Sequence, residues 1–454
     1  MMNSVGAWRV LKPLTMIGLA LVMAGLYWNG AVEQLARVNT NMTYMDQPAY
    51  MNYARNLRES NYTFIGGRNR MPVYPFLQSL LYRADMTDEA FFEQGKYVNL
   101  VLSLFLLAGL AFIFSRYLSL FATINLLLII AFTVFIFKAG YFQTELLFYF
   151  LSFCLFLLMC RLLKRVTWWL AILTGIVAGL AHLTKASILP GLVIFLALAV
   201  VKWGSVALRS RHAPGSPTSI KTALSPLLGV LLVGVFFLIT IFPYINTSKR
   251  VFGQYFYNVN YTFYMWYDSW QEAKQGTWAH GDEVGWPDMP PEEIPSMSKY
   301  LREHTLGQIV GRFTNGAVTV LGNTLPSYGY FKYMLVYVGL FCVAIFLSWS
   351  KVRQAVASNP ILCLFLVLYF AGYLLLYAWY SPIAPGNRFA LALFIPLMFS
   401  LSYGLQILLG SSSLKAGRAS VNALLVNNLA ILVVVLVDIY FVLTERVGSV
   451  YGGL

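Results

Sequence analysis

Two carboxylates and three cations stand out from a chain otherwise poor in charge. Asp46 lies in Thr43-Tyr-Met-Asp-Gln-Pro-Ala-Tyr50. Glu145 directly follows Thr144 at the head of an apolar run and is the sole acid between Glu93 and Asp268. A carboxylate held near a reacting group at a mostly dry interface can act as a general base. One kept at the rim of a membrane span is costly, which makes it a functional-site candidate. Arg70 in Gly66-Gly-Arg-Asn-Arg-Met-Pro-Val-Tyr-Pro75, Lys185 in His182-Leu-Thr-Lys-Ala-Ser187 and Arg388 in Ser381-Pro-Ile-Ala-Pro-Gly-Asn-Arg388 each adjoin an apolar span. Cations so placed suit a phosphate, Arg as a bidentate donor and Lys as a point charge. Plainer readings stand beside these. Asp before Gln47-Pro48 is a good helix N-cap, a first-turn acid is favoured by the helix dipole, and a lone cation beside a span snorkels. Lys185 resists that last reading, because positive-inside bias disfavours a Lys in a short outer turn.

What must position these residues is a set of membrane helices. The 454 residues are 59% hydrophobic and only 11% charged, whereas a soluble domain carries about 25% charged residues. Apolar runs near the bilayer-spanning length of about 20 residues predict an all-α polytopic membrane protein with eleven spans. They fall at about 12–28, 97–115, 117–137, 143–160, 167–183, 187–203, 223–245, 333–350, 360–378, 389–409 and 422–443. The first run, with Arg9 and Lys12 ahead of it, is long for a signal peptide, and Trp28-Asn29-Gly30 is not a cleavage site, so it reads as an uncleaved anchor.

The net charge of +14 would suit a nucleic-acid binder only if the cations formed a soluble patch. Alternation of spans instead puts fourteen Lys and Arg, and no acid, in the loops on the N-terminal side; all 18 acids fall on the other side. The positive-inside rule then orients the chain with its N-terminus in the cytoplasm and its C-terminus outside. No nucleic-acid partner is expected. The bilayer of a bacterial inner membrane is.

Two long segments fall outside, at about 30–96 and 246–332. They divide the chain into an N-terminal catalytic module (1–245), the second exterior loop (246–332) and C-terminal spans (333–454). The stretch Phe252 to Trp270 holds ten aromatics in nineteen residues. It reads either as an interfacial aromatic belt or as a wall lining a substrate, with Tyr264 and Trp266, and Tyr50 and Tyr74 from the first loop, as lining candidates. The Pro-rich stretch Gly285 to Pro295 reads as a rigid loop. The four Cys all lie in apolar runs and the four His are scattered, so neither a disulfide framework nor a zinc motif is expected. Sequons at Asn41, Asn61, Asn246 and Asn260 are short enough to be coincidence, and 211–219 is a Pro/Ser-rich linker. Asp438 is an acid within the last span, for which a buried structural partner is the default.

The order and sidedness of these motifs resemble the GT-C superfamily of membrane glycosyltransferases, in the branch of protein O-mannosyltransferases and lipid A aminoarabinose transferases. Asp46-Gln47 stands where that family has Asp-Glu or Asp-Asp. Arg70-Met-Pro-Val-Tyr-Pro75 matches its basic residue before a Pro-containing helix start, and Thr144-Glu145 its later acid. Gly179-Leu-Ala-His-Leu-Thr-Lys-Ala186 and Gly386-Asn-Arg-Phe-Ala390 match two further motifs. The resemblance covers residues 10–200 well and the rest loosely. It implies sugar transfer, with inversion, from a polyprenyl-phosphate-linked co-substrate to a lipid, glycan or protein acceptor. Asp46 would be the base, Glu145 an orienting acid, and Arg70, Lys185 and Arg388 the phosphate ligands. Gln47 departs from the family's second acid, which puts a divalent metal there in doubt, and no cofactor is otherwise implied. Two rival classes fit the same span count: an O-antigen ligase or polymerase working from the 246–332 loop, and a lipid-linked-sugar transporter, which would carry ionisable groups deep within several spans.

Overall fold

The computed structural model describes residues 4–211, 220–384, 386–416 and 419–449. Most of the 211–219 linker, Pro385 and Arg418 lie outside them. Fifteen helices carry the fold: α1 (Ser4–Val38), α2 (Gln47–Glu59), α3 (Val73–Ser79), α4 (Asp88–Ser115), α5 (Leu120–Lys138), α6 (Glu145–Lys164), α7 (Trp168–Thr184), α8 (Leu189–Arg211), α9 (Ile220–Phe252), α10 (Leu306–Ser327), α11 (Tyr333–Leu347), α12 (Trp349–Ser358), α13 (Pro360–Tyr380), α14 (Phe394–Leu409) and α15 (Ala423–Phe441). One antiparallel pair, β1 (Ser413–Ala416) with β2 (Ala419–Asn422), is the sole sheet among the described residues.

Eight helices among the described residues are long and apolar enough to cross a membrane, so the chain is an all-α, multi-pass membrane protein. The other three expected spans fall on α1, on the 17-residue α7, and on α11 with α12, which meet at Ser348 with a bend of 94°. The central helices are α5, α6 and α14, whose most apolar windows are 78%, 67% and 61% buried, against 39% or less for α4, α8, α9, α13 and α15. In lipid, apolar surface alone does not drive helices together; close backbone approach does. Gly175 and Gly179, one turn apart on α7, supply it: a Cβ on either would collide with α9 at Val233, Phe236 or Thr240.

The two long segments are more ordered than loops. α1 runs on to Val38 and α4 begins at Asp88, capped by the Thr87 side chain on the Ala90 N–H, with Asp88 and Glu89 at its positive end. Between them α2 and α3 share a small core of Tyr50, Met51, Ala54, Tyr74, Phe91 and Phe142. The aromatic stretch forms short helical turns around another core, with Phe252, Tyr257, Phe263 and Tyr264; it is not a continuous helix lying on the bilayer. Trp286 of the Pro-rich loop packs on Phe263 at 5.3 Å. The segment 246–332 also contains the 22-residue α10, which no apolar run had announced, started by a Thr305–Gln308 capping box.

Asp438 does have a structural partner. Buried in α15, it accepts from the backbone N–H of Tyr330 at 3.0 Å and so holds the turn that precedes α11.

Candidate active site

The geometry of Asp46 starts with its neighbours. Met45 is in the left-handed region (φ 58°), a conformation that costs a non-glycine residue about 1–3 kcal/mol and persists only where the surroundings impose it. On the other side, Gln47 is fully buried and exchanges two 2.8 Å hydrogen bonds with the Asn39 amide, while its oxygen also accepts from Phe142 N–H. Asn39 in turn donates to Gly140 O. A carboxylate at 47 could not donate to Asn39, so the amide at this position has a structural role. Asp46 sits at the N-cap position of α2, yet its side chain makes no capping bond. The carboxylate points at two guanidinium groups: Arg70 Nη2 is 2.5 Å from Oδ1 and Arg388 Nη1 2.5 Å from Oδ2. The N-cap reading of this residue is therefore wrong for its side chain.

The other members arrive from separate elements. Arg70 lies ahead of α3, donates to Asn69 O and stands over the Tyr50 ring at 5.9 Å; its buried Nε has no hydrogen-bond partner among the described residues. Arg388 opens the helical turn Arg388–Ala392, and Tyr149 of α6 donates to its carbonyl at 2.9 Å. Glu145 is the first residue of α6, which satisfies the helix-dipole reading. It also pairs with Lys185 at 3.5 Å, across the junction between α7 and α8. Its Oε2 is buried and makes no hydrogen bond among the described residues.

All five charged side chains line one cavity of about 300 Å³. Tyr50 lines it too. Tyr74, Tyr264 and Trp266 do not. Tyr74 packs edge-on behind Tyr50 and against Phe142. Tyr264 is buried in its own core and donates to Asp282. Trp266 packs on Tyr300 and Trp379. Their aromatic character serves packing, so these three lining assignments are corrected.

Burial works against ionising Asp46, but Arg70 and Arg388 outweigh it and hold its pKa down to about 2. With three cations to two carboxylates, the lining carries a positive surplus. The uncharged lining splits into a polar part, with Asn69, Asn258, Asn260, Tyr261 and Tyr380, and an apolar part, with Leu189, Pro190 and Leu376. Asn258 carried no signal in the sequence, and Asn260 stood out only as part of a sequon, because an Asn in a loop carries no binding signal of its own. Two buried cations were also missed. Lys138 ends α5 within electrostatic reach of Glu145, Arg388 and Lys185, and a cation closing an apolar span is readable as an anomaly. Arg68 donates to Ser248, Gly66 O and Tyr244 O and lies 4.1 Å over the Tyr244 ring, tying the first segment to α9. Among the described residues no three His, Cys, Asp or Glu gather as a metal cage would need.

The site lies at one end of the bundle. α6 starts there at Glu145 and ends at Lys164; near that far end Lys202 donates to Leu163 O, and Lys351 to Leu408 O and Ser411. Comparison with protein families, with curated proteins and with solved structures gives no match.

Proposed function

We propose that this protein is an integral-membrane glycosyltransferase of the GT-C type, moving a sugar from a polyprenyl-phosphate-linked donor to an acceptor on the exterior face, with inversion. The observation that carries the reading is the meeting of Asp46 with Arg70 and Arg388, beside the Glu145–Lys185 pair, in one cavity with an apolar wall. A carboxylate, a surplus of cations and an apolar wall are what a lipid phosphate ester and a nucleophilic acceptor require together.

The step balances as follows. An acceptor hydroxyl or amine gives its proton to the Asp46 carboxylate as its lone pair attacks the sugar C1 from the face opposite the phosphate. The C1–O bond to phosphorus breaks, its electron pair leaves with the polyprenyl phosphate, and the phosphate gains one negative charge. Arg70, Arg388 and Lys185 stabilise that charge, the electrostatic contribution that is usually largest. A carboxylate clamped at a pKa of about 2 is a weak base. A phosphate accepting from the same guanidinium groups would loosen the clamp, so donor binding would raise the basicity of Asp46.

The topology that suits this chemistry has eleven spans, the N-terminus in the cytoplasm and the C-terminus outside a bacterial inner membrane. The fourteen cations of the far loops would then lie inside. The deciding experiment presents the purified full-length protein in lipid nanodiscs with polyprenyl-phosphate sugars and a mixed pool of acceptors. Release of polyprenyl phosphate coupled to a new glycoside is expected. Absence of release together with absence of polyprenyl-phosphate binding would overturn the reading.

A further inference from the structure

The polar part of the cavity lining has an order that the phosphate chemistry does not use. Tyr380 donates its hydroxyl to Asn260 Oδ1 at 2.8 Å. Asn260 Nδ2 donates to Asn258 Oδ1 at 3.1 Å, and that oxygen also accepts the Asn260 backbone N–H at 3.1 Å. Asn258 Nδ2 is 3.8 Å from Met71 Sδ. This chain fixes which end of each amide is oxygen and which is nitrogen, because each amide oxygen is already taken by a donor. A carboxamide nitrogen carries two protons, so each Asn keeps one N–H without a hydrogen bond among the described residues. Asn258 is buried, and a buried donor left unmade is costly. The wall thus presents oriented N–H groups beside the Tyr261 ring.

These groups are neutral, and the charged residues that share the lining are drawn into ion pairs. Arg70 and Arg388 hold Asp46, and Lys185 holds Glu145. Glu283 sits behind Asn69, whose amide donates to it, and it does not line the cavity. An ammonium group seated against these amides would meet donors, and burying a charge without a partner is expensive. Hydroxyl and acetamido oxygens, by contrast, accept from amide N–H groups.

Resting on the donor reading above, we propose that Asn258, Asn260 and Tyr380 form the sugar subsite, and that the transferred sugar presents hydroxyl or acetamido oxygens to it and no ammonium group, as a hexose or its N-acetyl derivative does.

Equilibrium binding to the full-length protein in nanodiscs tests this. The reference ligand is polyprenyl methyl phosphate, which carries the same single charge as the donors but no sugar. Against it stand polyprenyl-phosphate-linked hexose, N-acetylhexosamine and aminopentose. A neutral-sugar donor is expected to bind at least about tenfold tighter than the methyl ester, equivalent to one good hydrogen bond to a buried donor. Asn260→Ala should erase that advantage while leaving methyl ester affinity unchanged. Tyr380→Phe, which alters a single hydroxyl, should reduce it. The assignment is overturned by a preference for the aminopentose, by equal affinity for all ligands, or by an advantage that survives both substitutions. If the methyl ester itself fails to bind, or binds equally well after Arg388→Ala, the donor reading falls and takes this inference with it.

Discussion

Asp46 and Asp268 are both aspartates gripped by arginine, and the two sites are linked through Met265 and the end of α13. They do different things with that grip. Asp46 faces the cavity, and each of its oxygens touches one guanidinium group. Asp268 lies outside the cavity lining and serves protein partners: Oδ1 accepts from Tyr300 and Arg312 at 2.8 and 2.9 Å, and Oδ2 faces His304 Nε2 at 2.7 Å. Arg312 completes that cluster with bonds to the carbonyls of Trp379, Met265 and Tyr267, and it lies 4.3 Å over the Trp379 ring. The difference is one of geometry more than charge. Two arginines converging from the Arg70 segment and the Arg388 turn leave room for a ligand oxygen. One arginine surrounded by carbonyls leaves none, so the Asp268 cluster reads as a clasp joining the aromatic segment to α10 and α13.

The largest expected contrast comes from removing each carboxylate. On the proposed function, Asp46→Asn should lower turnover by about 10²- to 10⁴-fold, the range for loss of a general base, and should also lower the thermal midpoint, because Arg70 and Arg388 lose their carboxylate partner. Asp268→Asn should lower the midpoint as well but leave turnover within a few-fold. Thermal unfolding in nanodiscs and single-turnover release of polyprenyl phosphate measure the two. Equal loss of turnover in both variants would erase the distinction.

The arginines should divide along the same line. Arg388→Ala should raise the donor KM roughly ten- to hundredfold, matching the about 1.5–3 kcal/mol of a hydrogen bond to a charged group. Arg312→Ala strands three carbonyls and a carboxylate; a loss of about 2 kcal/mol of stability is expected, with donor KM near that of the parent. A donor-binding defect in Arg312→Ala at full stability would show that the clasp reaches into the site.

How much of this was legible beforehand depends on how rare each signal is. Charged residues bordering apolar spans are few, so Asp46, Arg70, Glu145, Lys185 and Arg388 stood out from sequence alone, and the fold gathers all five around one cavity. Aromatic residues are common here, and which way each one faces depends on its tertiary neighbours. Tyr50 and Tyr74 are both buried next to each other, yet only the first reaches the cavity. α10 was obscured for a different reason: Gly307, Gly311, Gly316 and Gly322 lower its helix propensity, and its apolar residues lie on one face. Its Thr305-x-x-Gln308 start was readable, as was the helical spacing of its apolar residues, although neither forms a continuous apolar run. The bend at Ser348 had no cue, since no proline or glycine stands at the break.

Asp46 also gives the comparison a kinetic form. kcat/KM reports groups of the free enzyme and kcat those of the donor complex. With Asp46 held at about 2 in the free protein, its contribution to stability is complete above the ordinary carboxylate pKa and is lost only as pH falls through about 2. The kcat/KM profile should therefore stay flat on its acidic side down to about pH 4. If the donor phosphate binds as proposed, kcat should develop an acidic limb at higher pH, because the phosphate would compete for the clamping arginines. Coincident limbs in the two profiles would mean that the phosphate does not share those arginines.

The smallest effect is expected at the clasp. Both His304 nitrogens face oxygens, Asp268 Oδ2 at 2.7 Å and Tyr300 O at 2.9 Å, an arrangement that only a doubly protonated ring fully satisfies. Burial opposes the charge, but the Asp268 bond and the Tyr300 carbonyl outweigh it and raise the His304 pKa above its ordinary value. A group with a raised folded-state pKa adds stability that is fully present below the ordinary His value of about 6.5 and disappears as pH rises through the folded value. Asp268, also opposed by burial, is pulled below the ordinary carboxylate range by Tyr300, His304 and Arg312, so its own contribution is lost only in stronger acid. The thermal midpoint should therefore decline as pH rises from about 6 to 8, and His304→Gln, which keeps a donor but cannot titrate, should flatten that slope. Because the clasp is exposed at its edge, the effect should amount to a few degrees and should leave the pH profile of kcat/KM untouched. A shift in that profile would tie His304 to Asp46 and break the separation between the two aspartates.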